Sequence, residues 1–329
     1  MKKLIFSLSV MLLGAMLIAS CGGGEKKSFR YDSKGKLVPA ADYLCVAVDE
    51  TFQPVFELLF QDFHERNLKS FVDPLYMPED SAIVLLMNDS VRSIVTTKPL
   101  TDKDIEYLNK RRLSPKSAIV AYDAIALVTN NASADTLISV DEIKQILTGK
   151  ITDWRQLKHS NGQSGEIEVV FDHNGSSTVR YMMDSLCAGQ QLKGKLRSAK
   201  SNEEVVRYIS QKKNAIGVIG ADWIGHSNDT NRLAFIDDVR VMSVAEKPSD
   251  LATVYNKPFQ FYIYTGAYPM TRCLYLITTD PRVRSIEQTF YYYLTMQPNH
   301  NEQGQMIILK YSQLLPYVAA QSRNVVITR

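Results

Sequence analysis

Ser117–Asn131 reads SAIVAYDAIALVTNN, a long run of small and β-branched apolar residues with almost no polar alternation. Such a pattern describes a strand covered on both faces, and its length suits a strand that lies within one packed body and passes into another. Upstream of it the chain alternates strand and helix. LCVAVDE (Leu44 to Glu50) is a short buried-strand run, and TFQPVFELLFQDFHERN carries Val55, Phe56, Leu59, Phe60 and Phe63 at helical spacing. FVDPLYM predicts a strand, SAIVLLMND (Ser81 to Asp89) a helix, and RSIVTTKPL a strand that runs out into a polar turn. TDKDIEYLNKRR then begins a helix, with Thr101 as N-cap and Asp104 three residues on. Strand and helix in strict alternation imply a parallel sheet with helical crossovers.

Downstream, VDEIKQILTGKITDWRQL places Ile143, Ile146 and Leu147 on one helical face. EIEVVF predicts a strand, DHNGSST a polar loop, VRYMMDSLC a helix, SNEEVVRYISQ another, and AIGVIG a strand. FQFYIYTG and RCLYLITT read as two further strands, and SIEQTFYYYLTM and EQGQMIILKYSQLL as closing helices. Trp154 and Trp223 follow turn and strand motifs, where a large ring fills a join between elements.

At the other end, Lys2 and Lys3 precede an apolar run from Leu4 to Ile18 that stops at small residues and a cysteine. This is the layout of a secretory signal peptide, and the run is shorter than the ~20 residues a spanning helix needs. LIASC, ending at Cys21, resembles a bacterial lipobox, so residues 1–20 are expected to be cleaved and Cys21 to carry lipid. Residues 21–41, rich in glycine and charge, read as a flexible tether. The expected location is therefore across the inner membrane, anchored by lipid in the cell envelope on its periplasmic side or at the outer membrane.

Loss of Lys2 and Lys3 lowers the formal charge from +3 to +1, and no basic stripe argues for nucleic acid. Cys45, Cys187 and Cys273 lie in apolar or helical contexts without CxxC spacing, so a disulfide framework is not expected. His64, His159, His173, His226 and His300 are scattered, so neither a metal site nor a cofactor is expected. No GxSxG elbow, HExxH pair or paired-carboxylate pattern suggests an enzyme.

In order, AYDAIALVTNN, VDEIKQILTGKITDW, AIGVIG, YPMTRCLYLIT and GQMIILKYSQLLP resemble the phosphate-binding-protein family of ABC transporters, type II periplasmic solute-binding proteins, from about Tyr43 to Pro316. The resemblance implies an α/β fold of two lobes, parallel-rich sheets with helices on both faces, and a hinge of crossing strands. Lobe one would be 42–127 plus 265–329, and lobe two 128–264. It also implies a monomer that takes phosphate or a similar oxyanion between its lobes and delivers it to a permease. Helix N-termini suit that ligand, because they present unpaired backbone N–H groups and a partial positive charge.

Residue by residue, the resemblance points to Thr51 and Phe52 at the first long helix, Ser81 at the next, and Ser176, Ser177 and Thr178 at the helix running to Cys187. Two positions depart from the family. Thr97 stands in the turn after the third strand, where relatives carry an aspartate, and Asp172 stands four residues before Ser176, where they carry an arginine. Lys98 and Arg180 lie close in sequence to these positions and could point into the cleft. The reversal leaves room for another oxyanion or a small polar solute, or for a surface lipoprotein used in sensing or protein binding.

Overall fold

The computed structural model describes residues 29–39, 42–225, 236–280, 282, 285–296 and 304–321. The signal peptide, Cys21, His226 and His300 lie outside the described residues. Strands β1 (Phe29–Tyr31) and β2 (Leu37–Pro39) pair as an antiparallel hairpin inside the stretch expected to be tether. The hairpin is fastened to the body: the amide and hydroxyl of Ser33 each donate to the Asp73 carboxylate at 2.7 Å, and the Arg30 guanidinium lies 3.6 Å over the Tyr43 ring.

From Asp42 the expected alternation follows: β3 (Asp42–Asp49), α1 (Gln53–Arg66), β4 (Ser70–Met77), α2 (Glu79–Met87), β5 (Ser93–Thr96) and α3 (Asp102–Lys110). Strand β3 pairs in parallel with both β4 and β5. The apolar face of α1 is buried as its spacing predicts, and Thr101 and Asp104 close a reciprocal capping box on α3. Helix α2 starts earlier than expected. Pro78 is its N-cap and Glu79 its first residue, which moves Ser81 into the first turn.

The decisive run is β6 (Lys116–Thr129). It is followed by β7 (Leu137–Ser139), α4 (Val140–Leu147), β8 (Glu168–Phe171), α5 (Ser177–Arg180), β9 (Lys195–Ser198), α6 (Asn202–Gln211), β10 (Ala215–Gly220), β11 (Arg240–Val241) and β12 (Ser243–Ala245). The chain returns through α7 (Gln260–Thr265) and β13 (Thr271–Thr278), then α8 (Ile286–Thr295), α9 (Gly304–Tyr311), β14 (Leu315–Pro316) and α10 (Tyr317–Gln321). Lys116 to Ala124 of β6 pair antiparallel with β13, whereas Ile125 to Thr129 pair antiparallel with β10. One strand thus belongs to both lobes, changing partner between Ala124 and Ile125. The sheet order is β4-β3-β5-β13-β6-β10-β8-β9. Lobe one packs Phe52, Phe56, Phe63 and Phe290 beneath its sheet, and lobe two packs Ile143, Trp154, Val170 and Val218.

One local expectation fails for a physical reason. FQFYIYTG is helix α7 and not a strand: a short apolar aromatic run fits either state, and Gly266, at φ 72°, supplies the left-handed residue that closes a helix. The helix after Ser176 leaves α-geometry at Tyr181, and Tyr181–Leu186 is a π-helical stretch.

Candidate functional site

The two lobes meet where loops from the ends of their strands face each other. From lobe one come the turn Glu50–Phe52 after β3, Glu79 at the start of α2, and Thr96 and Thr97 at the end of β5. From lobe two come Asp172–Ser176 after β8 and the turn Ala221–Ile224 after β10. The crossing strands β6 and β13 contribute Asp123 and Arg272.

Contacts across the cleft are close. The Trp223 ring N–H donates to the Thr51 carbonyl at 2.8 Å. Asp222 accepts from the Val55 amide at 3.0 Å and the Gln313 amide at 3.2 Å, which ties its turn to lobe one. The hydroxyls of Thr51 and Ser177 are 3.4 Å apart. Gly220 permits this approach, because a Cβ there would lie 2.5 Å from Cγ2 of Thr51. Trp154 is fully buried inside lobe two, as expected of a filling residue, but Trp223 spans the lobes.

The first of two polar clusters centres on Glu79, which is fully buried. Its Oε1 accepts from the Thr96 hydroxyl at 2.8 Å, the Thr97 amide at 2.8 Å and the Thr97 hydroxyl at 2.7 Å. Its Oε2 accepts from Nε of Arg180 at 2.5 Å, and Nη2 of Arg180 donates to the Thr97 hydroxyl oxygen at 2.7 Å. Burial alone would raise the Glu79 pKa, but the Arg180 guanidinium with the hydroxyls of Thr97 and Thr96 outweighs it and holds the acid below its ordinary value. Thr97 is therefore at the interface, with its hydroxyl bonded to protein groups.

The second cluster lies around Asp49, Asp172 and Arg272. Oδ1 of Asp172 accepts from the hydroxyls of Ser176 and Thr178 at 2.6 Å each. Ser176 also caps α5, accepting from the Val179 amide at 3.2 Å. Burial raises the Asp172 pKa, against the pull of both hydroxyls. Asp49 accepts from the Thr51 amide at 3.1 Å through Oδ1. Its pKa is pushed up to about 7, first by burial and then by the Glu79 charge, with Arg272 opposing. Arg272 is buried: Nε donates to Asp123 at 2.8 Å and Cζ lies 5.4 Å from the Phe52 ring centre, while Nη1 and Nη2 have no hydrogen-bond partner among the described residues. The buried Oδ2 atoms of Asp49 and Asp172 also lack hydrogen-bond partners among the described residues. Beside them His173 Nε2 is 2.6 Å from Glu50 Oε1, and that carboxylate pushes the imidazole pKa up to about 9.

Of the residues expected from sequence, Thr51, Phe52, Thr97, Asp172, Ser176, Ser177 and Thr178 are buried at this interface. Ser81 is the correction. It is exposed and its amide donates to the Pro78 carbonyl, because the earlier helix start gives Glu79 the place facing the cleft. Asp49, Glu50, Glu79, His173 and Arg272 were not foreseen as site residues. Arg272 could have been, since it stands in the YPMTRCLYLIT motif. Arg180 meets the expectation that a nearby cation enters the cleft, whereas Lys98 is half-buried, with its amide donating to the Thr96 hydroxyl.

The family described as PBP superfamily domain matches residues 38–297. Protein SphX of Synechococcus elongatus is 22% identical over 174 residues, and the match spans 52% of this chain and about half, 51%, of that protein. Phosphate-binding protein PstS of Bacillus subtilis is 24% identical over 249 residues, 73% of this chain and 77% of its own. Solved structures of similar fold include an ABC-type phosphate transport receptor from Vibrio cholerae, at 17% identity and a TM-score of 0.62 over 84% of this chain and 100% of that one. A putative phosphate ABC transporter substrate-binding protein from Clostridium perfringens, with bound phosphate, aligns at 17% identity and a TM-score of 0.64 over 84% and 99%. At these identities the structural likeness is one of fold.

Proposed function

The chain belongs to the PBP superfamily, and from that premise we propose that it captures inorganic phosphate between its lobes and delivers it to the permease of an ABC importer. The observation that carries this reading is the Arg272 guanidinium, buried with Nη1 and Nη2 lacking hydrogen-bond partners among the described residues. A buried charge with idle donors is costly, and one oxyanion accepting from both nitrogens removes that cost in the bidentate geometry that arginine favours. The hydroxyls of Thr51 and Ser177 face each other nearby, each able to donate to the same ligand. The unpartnered Oδ2 of Asp49 suits the proton of hydrogen phosphate, a group that sulfate lacks at neutral pH. The aspartate that relatives place after the third strand would then be replaced from the first loop.

The curated relative from Bacillus subtilis bears the name of a phosphate-binding protein, which supports the same ligand. No described helix is long and apolar enough to cross a membrane, so attachment to the envelope would come from lipid on Cys21. The protein would act there as a monomeric receptor and not as a catalyst. A second reading, a small polar solute with a cationic group, draws on the unpartnered acceptor oxygens of Asp49 and Asp172. Isothermal titration with phosphate, sulfate and a panel of small amines decides between them. Saturable 1:1 phosphate binding, with sulfate at least roughly tenfold weaker for want of a donor to Asp49, supports the phosphate receptor. No phosphate binding overturns it.

A further inference from the structure

Facing loops of the two lobes bring one histidine and two carboxylates together. We propose that Glu50 from lobe one and Asp172 and His173 from lobe two form a divalent transition-metal site that joins the lobes. One ligand atom from each lies within 4.8 Å of the other two. Glu50 Oε1 and His173 Nε2 form an ion pair across the lobes, 2.6 Å apart. Oδ2 of Asp172 is buried beside them with no hydrogen-bond partner among the described residues, on a side chain with no solvent exposure.

Each lobe-two ligand is already held from behind. The hydroxyls of Ser176 and Thr178 fix Oδ1 of Asp172, which leaves Oδ2 as the free oxygen. Nδ1 of His173 lies 3.3 Å from the Asn174 carbonyl, a contact that orients the ring, and an ion entering the site would take the place of the proton that Nε2 shares with Glu50. Partners of this kind orient metal ligands and set the imidazole tautomer. One imidazole nitrogen and two carboxylate oxygens suit zinc, manganese or iron(II) better than calcium or magnesium, which favour all-oxygen shells. Three protein ligands leave at least one position for water or an oxygen of the bound solute. The ion would also offset the two carboxylates that share the cleft with Arg272.

The site does not depend on which solute the cleft binds, and the experiment keeps the two questions apart. The full chain, purified in detergent and stripped with EDTA, is titrated with Zn²⁺ and with Mn²⁺ by calorimetry. One metal per chain is expected, with affinity falling at least about tenfold in Asp172→Asn and in His173→Gln. X-ray absorption of the Zn²⁺-loaded wild type, which needs no variant, should show imidazole nitrogen and oxygen donors and no sulfur. Absence of saturable binding, unchanged affinity in both variants, or sulfur from Cys45, Cys187 or Cys273 would overturn the site. Phosphate is titrated in parallel in EDTA: phosphate binding without metal binding sinks the metal site and leaves the receptor reading, and metal binding without phosphate binding does the reverse.

Discussion

Around Glu79 the carboxylate takes bonds from two threonine hydroxyls, a backbone amide and Arg180, so a buried charge is met on all sides. Across the same cleft, Arg272 keeps two guanidinium nitrogens, and Asp49 and Asp172 one oxygen each, without hydrogen-bond partners among the described residues. Both regions are buried, polar and built from both lobes or from the strands that join them. A completed network satisfies its own buried charge and acts as a latch, whereas the groups left incomplete are those at which the proposed ligand would bind. Residue type and burial alone would not have separated the two.

Arg272→Lys attacks the incomplete side with the largest expected consequence. It keeps the charge near Asp123 but loses the planar fork, and two charge-assisted bonds at roughly 1.5 kcal/mol each amount to about a hundredfold loss of phosphate affinity, read by titration calorimetry. Glu79→Gln attacks the complete side. It should lower stability in urea by about 1.5 kcal/mol, the low end for a bond to a charge, because the Arg180 side chain is 24% exposed and can turn to water. Phosphate affinity should hold or improve; a hundredfold loss would show that the latch is part of the binding site.

Gly220→Ala tests whether the contact between the clusters matters. The added methyl meets Thr51 only where the lobes touch, so it should cost about 1 to 2 kcal/mol of closure, seen as roughly a five- to thirtyfold loss of affinity, with each lobe still folded by circular dichroism. The finest comparison is between two serines. Ser177→Ala should weaken phosphate by about 0.5 to 1.5 kcal/mol, and Ser81→Ala should be silent, since that side chain is exposed on α2. Equal effects from both would restore Ser81 to the site.

Much of the fold was legible because local pattern suffices for it. The unbroken apolar run of β6 identified the strand shared by both lobes, and the spacing in α1 and the capping pair of α3 announced their helices. Where local chemistry was ambiguous the reading slipped, as with the aromatic run of α7 and the proline start of α2. The same division runs through the site. Hydroxyls at helix starts can be seen in a short window, which is why Thr51 and Ser176 to Thr178, buried at the interface, stand out in the sequence. Arg272 meets Asp123 from 149 positions away, and Glu50 meets His173 only because the lobes face each other. No spacing rule brings such residues together before the topology is known.

The chain contains just two tryptophans, and their placement makes it an optical instrument. Trp154 is sealed in lobe two, so its emission should stay constant as the lobes move. Trp223 gives its ring N–H to the Thr51 carbonyl across the cleft, and opening exposes that indole to water and shifts its light to the red. Fluorescence of Trp154→Phe should then follow the opening angle alone, in real time and without any attached dye.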